Sequence, residues 1–323
     1  ILSSIFVSTA LILTNKNVLS VYKFGCPIFL TSYHFLLLSA LLYCMSKLKF
    51  IEVVNVVPTK TIWLFAFFGV LSIVTMNFNL KLNSIGFYQL SKLCNIPCIV
   101  IYKYFFQNQT TPANTLFSLG ILLVGLFFFT VNDVQFNIIG SIVASIAVFA
   151  TAFYQTQTGS LQKQYQVTGI QLNRVTCFPQ FVIGIICAIS LETHGENSIL
   201  THDFVAMEVV LILTTGLFAV LGNIIAFSLI GKAGPVTFQV VGHVKTMLIF
   251  IFGLMMFPAT HESSEQFKRK IIGLSISMVG VILYTVFEII NKNKSEKENL
   301  AIASNEDDAK EDDPLLPKNE NKS

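Results

Sequence analysis

Residues 234–257 read GPVTFQVVGHVKTMLIFIFGLMMF. The stretch is apolar and long enough to cross a bilayer, for which roughly 20 such residues span about 30 Å of hydrocarbon. Yet it carries His243 and Lys245 near its middle. At about 1.5 Å per residue, Lys245 lies about 15 Å from Pro235. A lysine at the centre of a membrane helix costs roughly 2.5–3.5 kcal/mol on insertion scales, and such groups face a cavity or a partner. What satisfies this ammonium group is the question the rest of the chain has to answer.

The rest of the chain is of the same kind. Hydrophobic residues make up 53% and charged residues 12%, against about a quarter charged in soluble domains. Residues 62–80, 113–131, 136–159 and 271–287 contain no charged side chain. The fold class expected is an all-α polytopic membrane protein. Turn residues and charges divide it into ten spans, at 1–20, 27–45, 62–81, 85–106, 114–131, 137–159, 171–191, 205–230, 235–257 and 270–289. The first span begins within its own apolar run, at Ile1, and no signal peptide is visible, so further N-terminal sequence is expected before it. An even number of spans puts both termini on one side. Loop Lys/Arg number seven on that side and five on the other, a bias toward cytosolic termini.

Two stretches repeat. VGLFFFTVND (124–133) closes span five and VGVILYTVFE (279–288) closes span ten, with VG, TV and an acid at matching offsets. FYQ (87–89) opens span four and TFQ (237–239) opens span nine. Two five-span halves follow, and because five is odd the second is inverted relative to the first. Inverted repeats of this kind recur in secondary transporters, whose substrate sites lie near the midplane between the halves.

Lys92, seven residues into span four, is the counterpart of Lys245 in the other half. Residues 1–290 hold nine acids: Glu52, Asp133, Glu192, Glu196, Asp203, Glu208, Glu262, Glu265 and Glu288. All fall in loops or near span ends, so no carboxylate is expected to neutralise either lysine at depth. The expected counter-ion is the substrate. Lysine suits phosphate as a compact point charge with three donors. Tyr88 and Gln89 precede Lys92, and Gln239, His243 and Thr246 share a helix face at spacings of four and three. Asn77 and Asn79 in span three and Asn223 in span eight form a second ring, although intramembrane Asn and Gln also serve as interhelical hydrogen-bonding groups. Lys16, Lys103 and Arg174 lie nearer span ends and read as interfacial cations.

Cys94 and Cys98 are one turn apart, but no histidine or carboxylate flanks them as a metal site requires. The six cysteines read as small apolar core residues, and neither a cofactor nor a nucleic-acid partner is expected. The tail, 291–323, holds six basic and nine acidic side chains, making it −3 and residues 1–290 +6. Without aromatics or periodicity it reads as a disordered acidic extension. In it, EDDPLLP (311–317) resembles the acidic dileucine signal that clathrin adaptors read, with Glu311, Leu315 and Leu316 as its elements.

Beyond this reading, the sequence resembles the triose-phosphate and nucleotide-sugar transporter family of the drug/metabolite transporter superfamily. The resemblance rests on Asn15 and Lys16, CPIFLTSYHF (26–35), NFNLKLNSIGFYQLSK (77–92), SLQKQY (160–165) and TFQVVGHVKT (237–246). The Lys-Thr pair at 245–246 is similar to the group holding plant Golgi UDP-sugar transporters and the E-type members of solute carrier family 35. It covers residues 1–290 and implies ten helices, antiport, and phosphate contacts from lysines on spans four and nine, here Lys92 and Lys245. Plastid sugar-phosphate translocators carry Lys-Arg at the second site; Thr246 in place of arginine favours a nucleotide sugar. The expectation is a Golgi-membrane antiporter bringing in a UDP-sugar for UMP, with no catalytic group. Post-Golgi residence is added if the dileucine works, and a homodimer is left open. A plastid-type phosphate exchanger and a non-transporting scaffold or receptor remain the alternatives.

Overall fold

A computed structural model describes residues 2–83, 87–88, 91–92, 94–130, 138–193, 198–256 and 264–311. Among them the chain is helical and contains no strand. The helices are α1 (Leu2–Lys16), continued by a π-helical turn at Asn17–Val21, α2 (Pro27–Lys47), α3 (Thr59–Leu82), α4 (Asn95–Gln107), α5 (Ala113–Thr130), α6 (Ile138–Gln164), α7 (Gly169–Glu192), α8 (Ala206–Met256) and α9 (Ser264–Glu311). Six of the described helices are long and apolar enough to cross a membrane. Many outward side chains are apolar, among them Phe105, Phe106 and Phe117, as expected of a bundle whose solvent is hydrocarbon.

Local chemistry sets the helix ends. Pro27 begins α2, where its missing N–H costs nothing, and the next two amides find an acceptor across the bundle. Ile28 N and Phe29 N donate to the two carboxylate oxygens of Glu192, each at 2.8 Å. Thr168 caps α7 in a reciprocal box with Gln171. Asn108 closes α4 in the left-handed conformation, φ 51°, which asparagine tolerates.

α8 is two helices meeting at Gly234, whose φ of 85° and ψ of 164° lie outside the helical range. Glycine adopts that conformation without a Cβ clash, and Pro235 starts the second half. Straight, α8's 51 residues would extend about 77 Å, far beyond one bilayer core.

α5 packs along α9, α3 along α6, α2 along α7 and α1 along α8. Small residues bring α5 and α9 together. A Cβ on Gly125 would enter the backbone of Gly273 and Ser277, and one on Gly280 would come within 2.5 Å of the Leu122 amide nitrogen. Close backbone approach through glycine is a recurring way for helices to associate in lipid. Ile96, Ile99, Leu122, Val240 and Tyr284 form part of a core joining α4, α5, the second half of α8, and α9.

α9 runs on to Glu311, so it takes in residues 292–311 of the stretch expected from composition to be a disordered acidic extension. Leu315 and Leu316 lie outside the described residues.

Candidate functional site

Lys92 sits on a short helical turn just before α4. Its Nζ stands 4.3 Å from the centroid of the Tyr88 ring, one turn earlier. The ring face attracts the ammonium without neutralising it. α3 holds this turn in place through Asn79, which is fully buried. Asn79 Nδ2 donates to Ser91 Oγ (2.7 Å), and Ser91 Oγ donates to the Tyr88 carbonyl (2.8 Å). Asn83 Nδ2 closes the chain on Asn79 Oδ1 at 2.8 Å. Asn79 is therefore a bracket for the Tyr88–Lys92 turn, while Asn77 is half-buried on the same helix. Gln89 lies outside the described residues.

The second half of α8 brings His243 and Lys245 toward this turn. The Lys92 ammonium acts electrostatically on both, and neither forms an ion pair within 4 Å among the described residues. His243 is 8% exposed, and its Nε2 is enclosed without a hydrogen-bond partner among the described residues. One turn before it, Gln239 Nε2 donates to Gln155 Oε1 of α6 at 2.8 Å. Gln239 thus reaches the site already paired with another amide. Thr246 continues the helix, with its side chain outside the description.

Lys245 also lines a cavity of about 260 Å³. Ser8 and Leu11 of α1, Gly222 and Asn223 of the first half of α8, and Phe238 and Gly242 of the second half enclose it. Asn223 Nδ2 donates to the Ala219 carbonyl at 2.9 Å. The structure therefore brings together Lys92, Tyr88, His243 and Lys245, with Gln239 and Asn223 beside them.

The two most enclosed acids among the described residues are engaged elsewhere. Glu208, 1% exposed, holds His202 Nε2 at 2.7 Å, and Glu192 caps α2. Neither is available to the lysines. Sequence reasoning passed over Gln155, Phe238, Ser8 and Leu11. Gln155 carried a signal, since an amide inside a charge-free apolar run needs a partner. Arg174, expected at the headgroup level, has its Nε enclosed without a hydrogen-bond partner among the described residues.

Two ammonium groups and an imidazole within electrostatic reach of one another, with Lys245 on the wall of a cavity, can hold a multivalent oxyanion by charge and hydrogen bonds. A helical bundle with apolar outer faces and such an interior is a membrane transporter rather than an enzyme. More particularly, the chain belongs to the Triose-phosphate Transporter family, whose model matches residues 4–285. It is 31% identical over 317 residues to UDP-xylose transporter 2 of Arabidopsis thaliana, covering 97% of this chain and 87% of that protein. UDP-rhamnose/UDP-galactose transporter 1 of the same plant is 31% identical, over 90% of this chain and 83% of its own. A crystal structure of a protein at 15% identity aligns with a TM-score of 0.68, covering 89% of this chain and 95% of the other. At that identity the likeness concerns the fold alone.

Proposed function

We propose that the protein is a secondary antiporter that exchanges a UDP-sugar for a nucleoside monophosphate across an endomembrane of the Golgi, with both termini cytosolic. The observation that carries the reading is the pair Lys92 and Lys245, electrostatically coupled and without a carboxylate acting on Lys245 among the described residues. The substrate's phosphates supply the missing charge, clamped between the two ammonium groups. Tyr88, Gln89, Gln239, His243, Asn77 and Asn223 shape the surroundings, and Thr246 leaves room that an arginine would take. The relatives named for UDP-sugar transport point to the same ligand class.

The proposed architecture is ten spans in two inverted halves, with α8 supplying spans eight and nine. Its support is the pattern of packing. Exchanging each span with the one five places on turns α3 against α6 into the first half of α8 against α1, and α3 against α7 into that half against α2. All four contacts occur, while the α2–α7 and α5–α9 pairs map onto themselves. Gly222 faces Val7 and Leu11 of α1, and Gly216 faces Tyr33 and Leu37 of α2, which puts the first half of α8 in both exchanged contacts. Exchange coupling follows from charge: an empty site with two unpaired cations is the costly one to carry through a closed, water-poor intermediate.

The test is exchange in proteoliposomes against a panel of UDP-, GDP- and CMP-sugars, triose and hexose phosphates, and inorganic phosphate. Saturable uptake of a UDP-sugar that depends on internal nucleoside monophosphate is expected. Uptake of sugar phosphates alone, or no uptake of any phosphate ester, overturns the reading.

A further inference from the structure

A second polar cavity, of about 160 Å³, lies where α4 ends, α5 begins and α8 bends. Lys103, Thr110, Thr111, Thr237, Tyr284 and Glu288 are among its lining residues. The sequence reading gave Lys103 to the membrane interface. The structure places it half-buried near the end of α4, with its Nζ 4.0 Å from where a Cβ on Gly234 would stand. Lys163 and Glu288 both act on it electrostatically, yet Lys103 forms no ion pair within 4 Å among the described residues. Tyr284 and Thr237 share a hydrogen bond of 2.8 Å, so two hydroxyls are already ordered on the cavity wall.

The spacing ties this cavity to the inner site. Lys103 is eleven residues beyond Lys92, and Gly234 is eleven residues before Lys245. The second half of α8 therefore leads from one lysine site to the other over about 16 Å, and the chain from Lys92 through α4 links the same two sites. We propose that this cavity is a docking station for a phosphate group at the mouth of the transport path. Lys103 is the primary contact, the hydroxyls of Thr110 and Thr111 are donors, and Glu288 is a competing negative charge that keeps the hold weak. A weak outer hold fits a carrier, because a tightly held anion would stall before reaching Lys92 and Lys245. The proposal rests on the reading of the protein as a carrier of phosphate-bearing anions.

Opposite effects from two substitutions test it. In proteoliposomes, Lys103→Met is expected to raise KM for the transported nucleotide sugar about twofold to fivefold, with the maximal rate within about twofold of wild type. Glu288→Gln is expected to lower KM by about twofold. Both variants are first matched to wild type by size-exclusion profile and melting temperature. If both raise KM, the two side chains work as an ion-pair latch and the proposal falls. If neither changes KM, it falls as well. Vesicles of phosphatidylcholine, with and without phosphatidylglycerol, separate the two sources of phosphate. Shifts that persist without phosphatidylglycerol assign the site to the soluble substrate. Shifts that need it assign the same phosphate chemistry to a lipid headgroup. Lys245→Met serves as the independent control: loss of exchange there supports the inner site whatever happens at Lys103, and full activity there removes the inner site without deciding the outer one.

Discussion

Replacing Lys245 by methionine keeps most of the side-chain volume and removes the charge. In the protein without ligand the lysine is a liability. It lies about 15 Å along its helix from Pro235, faces a cavity, and feels Lys92 but no carboxylate among the described residues. Removing it lifts that repulsion and the cost of holding a cation in hydrocarbon, so the melting temperature should stay level or rise by a few degrees. Ligand binding should move the other way. A hydrogen bond to a charged group contributes about 1.5–3 kcal/mol, which corresponds to an affinity loss of about tenfold to 150-fold. The assays are thermal shift with and without UDP-sugar, and counterflow in proteoliposomes. The expected result is an equal or higher melting temperature, a reduced ligand-induced shift, and exchange close to background. A Lys245→Met protein that binds and exchanges like wild type would refute the phosphate clamp. One that unfolds would refute the claim that the lysine has no structural partner.

Other substitutions probe separate parts of the molecule. Thr246→Arg should shift competition toward inorganic phosphate and small sugar phosphates, because arginine grips phosphate bidentately; an unchanged order of inhibitors would place residue 246 away from the substrate. Gly280→Val should push α9 off α5, because the added Cβ meets the Leu122 backbone. Overpacking of that kind costs about 1–3 kcal/mol and should show as a lower melting temperature, while a wild-type melting temperature would mean the crossing is loose. Replacing Leu315 and Leu316 with alanine should send a tagged protein toward the cell surface without altering exchange in liposomes, and an unchanged distribution would end the adaptor reading of the tail.

Part of the candidate site was legible because charge inside apolar sequence is rare and conspicuous. Lys92 and Lys245 stand out for that reason, and Lys92 lies close enough to act electrostatically on Lys245. What could not be read was which neutral groups face them. Ser8 and Leu11 line the Lys245 cavity only because α1 packs along α8, and one-dimensional periodicity does not specify pairs of helices. Asn79 was visible as a polar residue, but its role as a bracket depends on Ser91 arriving 2.7 Å away from a different helix. The bend at Gly234 was legible from Gly-Pro. The helix through residue 311 was not, since composition reports solubility and says little about backbone conformation.

The carboxylate of Glu192, two hydrogen bonds deep in the start of α2, has a kinetic consequence. It is a rivet between α7 and α2, set at the end of α2 away from the Lys47 terminus. Charge-assisted bonds of this kind contribute about 1.5–3 kcal/mol each, so prising α2 from α7 at that point adds about 3–6 kcal/mol to the climb. Any motion that opens the bundle there is slowed by about two to four powers of ten relative to one that leaves the rivet closed. A transporter built this way can then present unequal on-rates to its two compartments even where its hold on the cargo is the same from both sides.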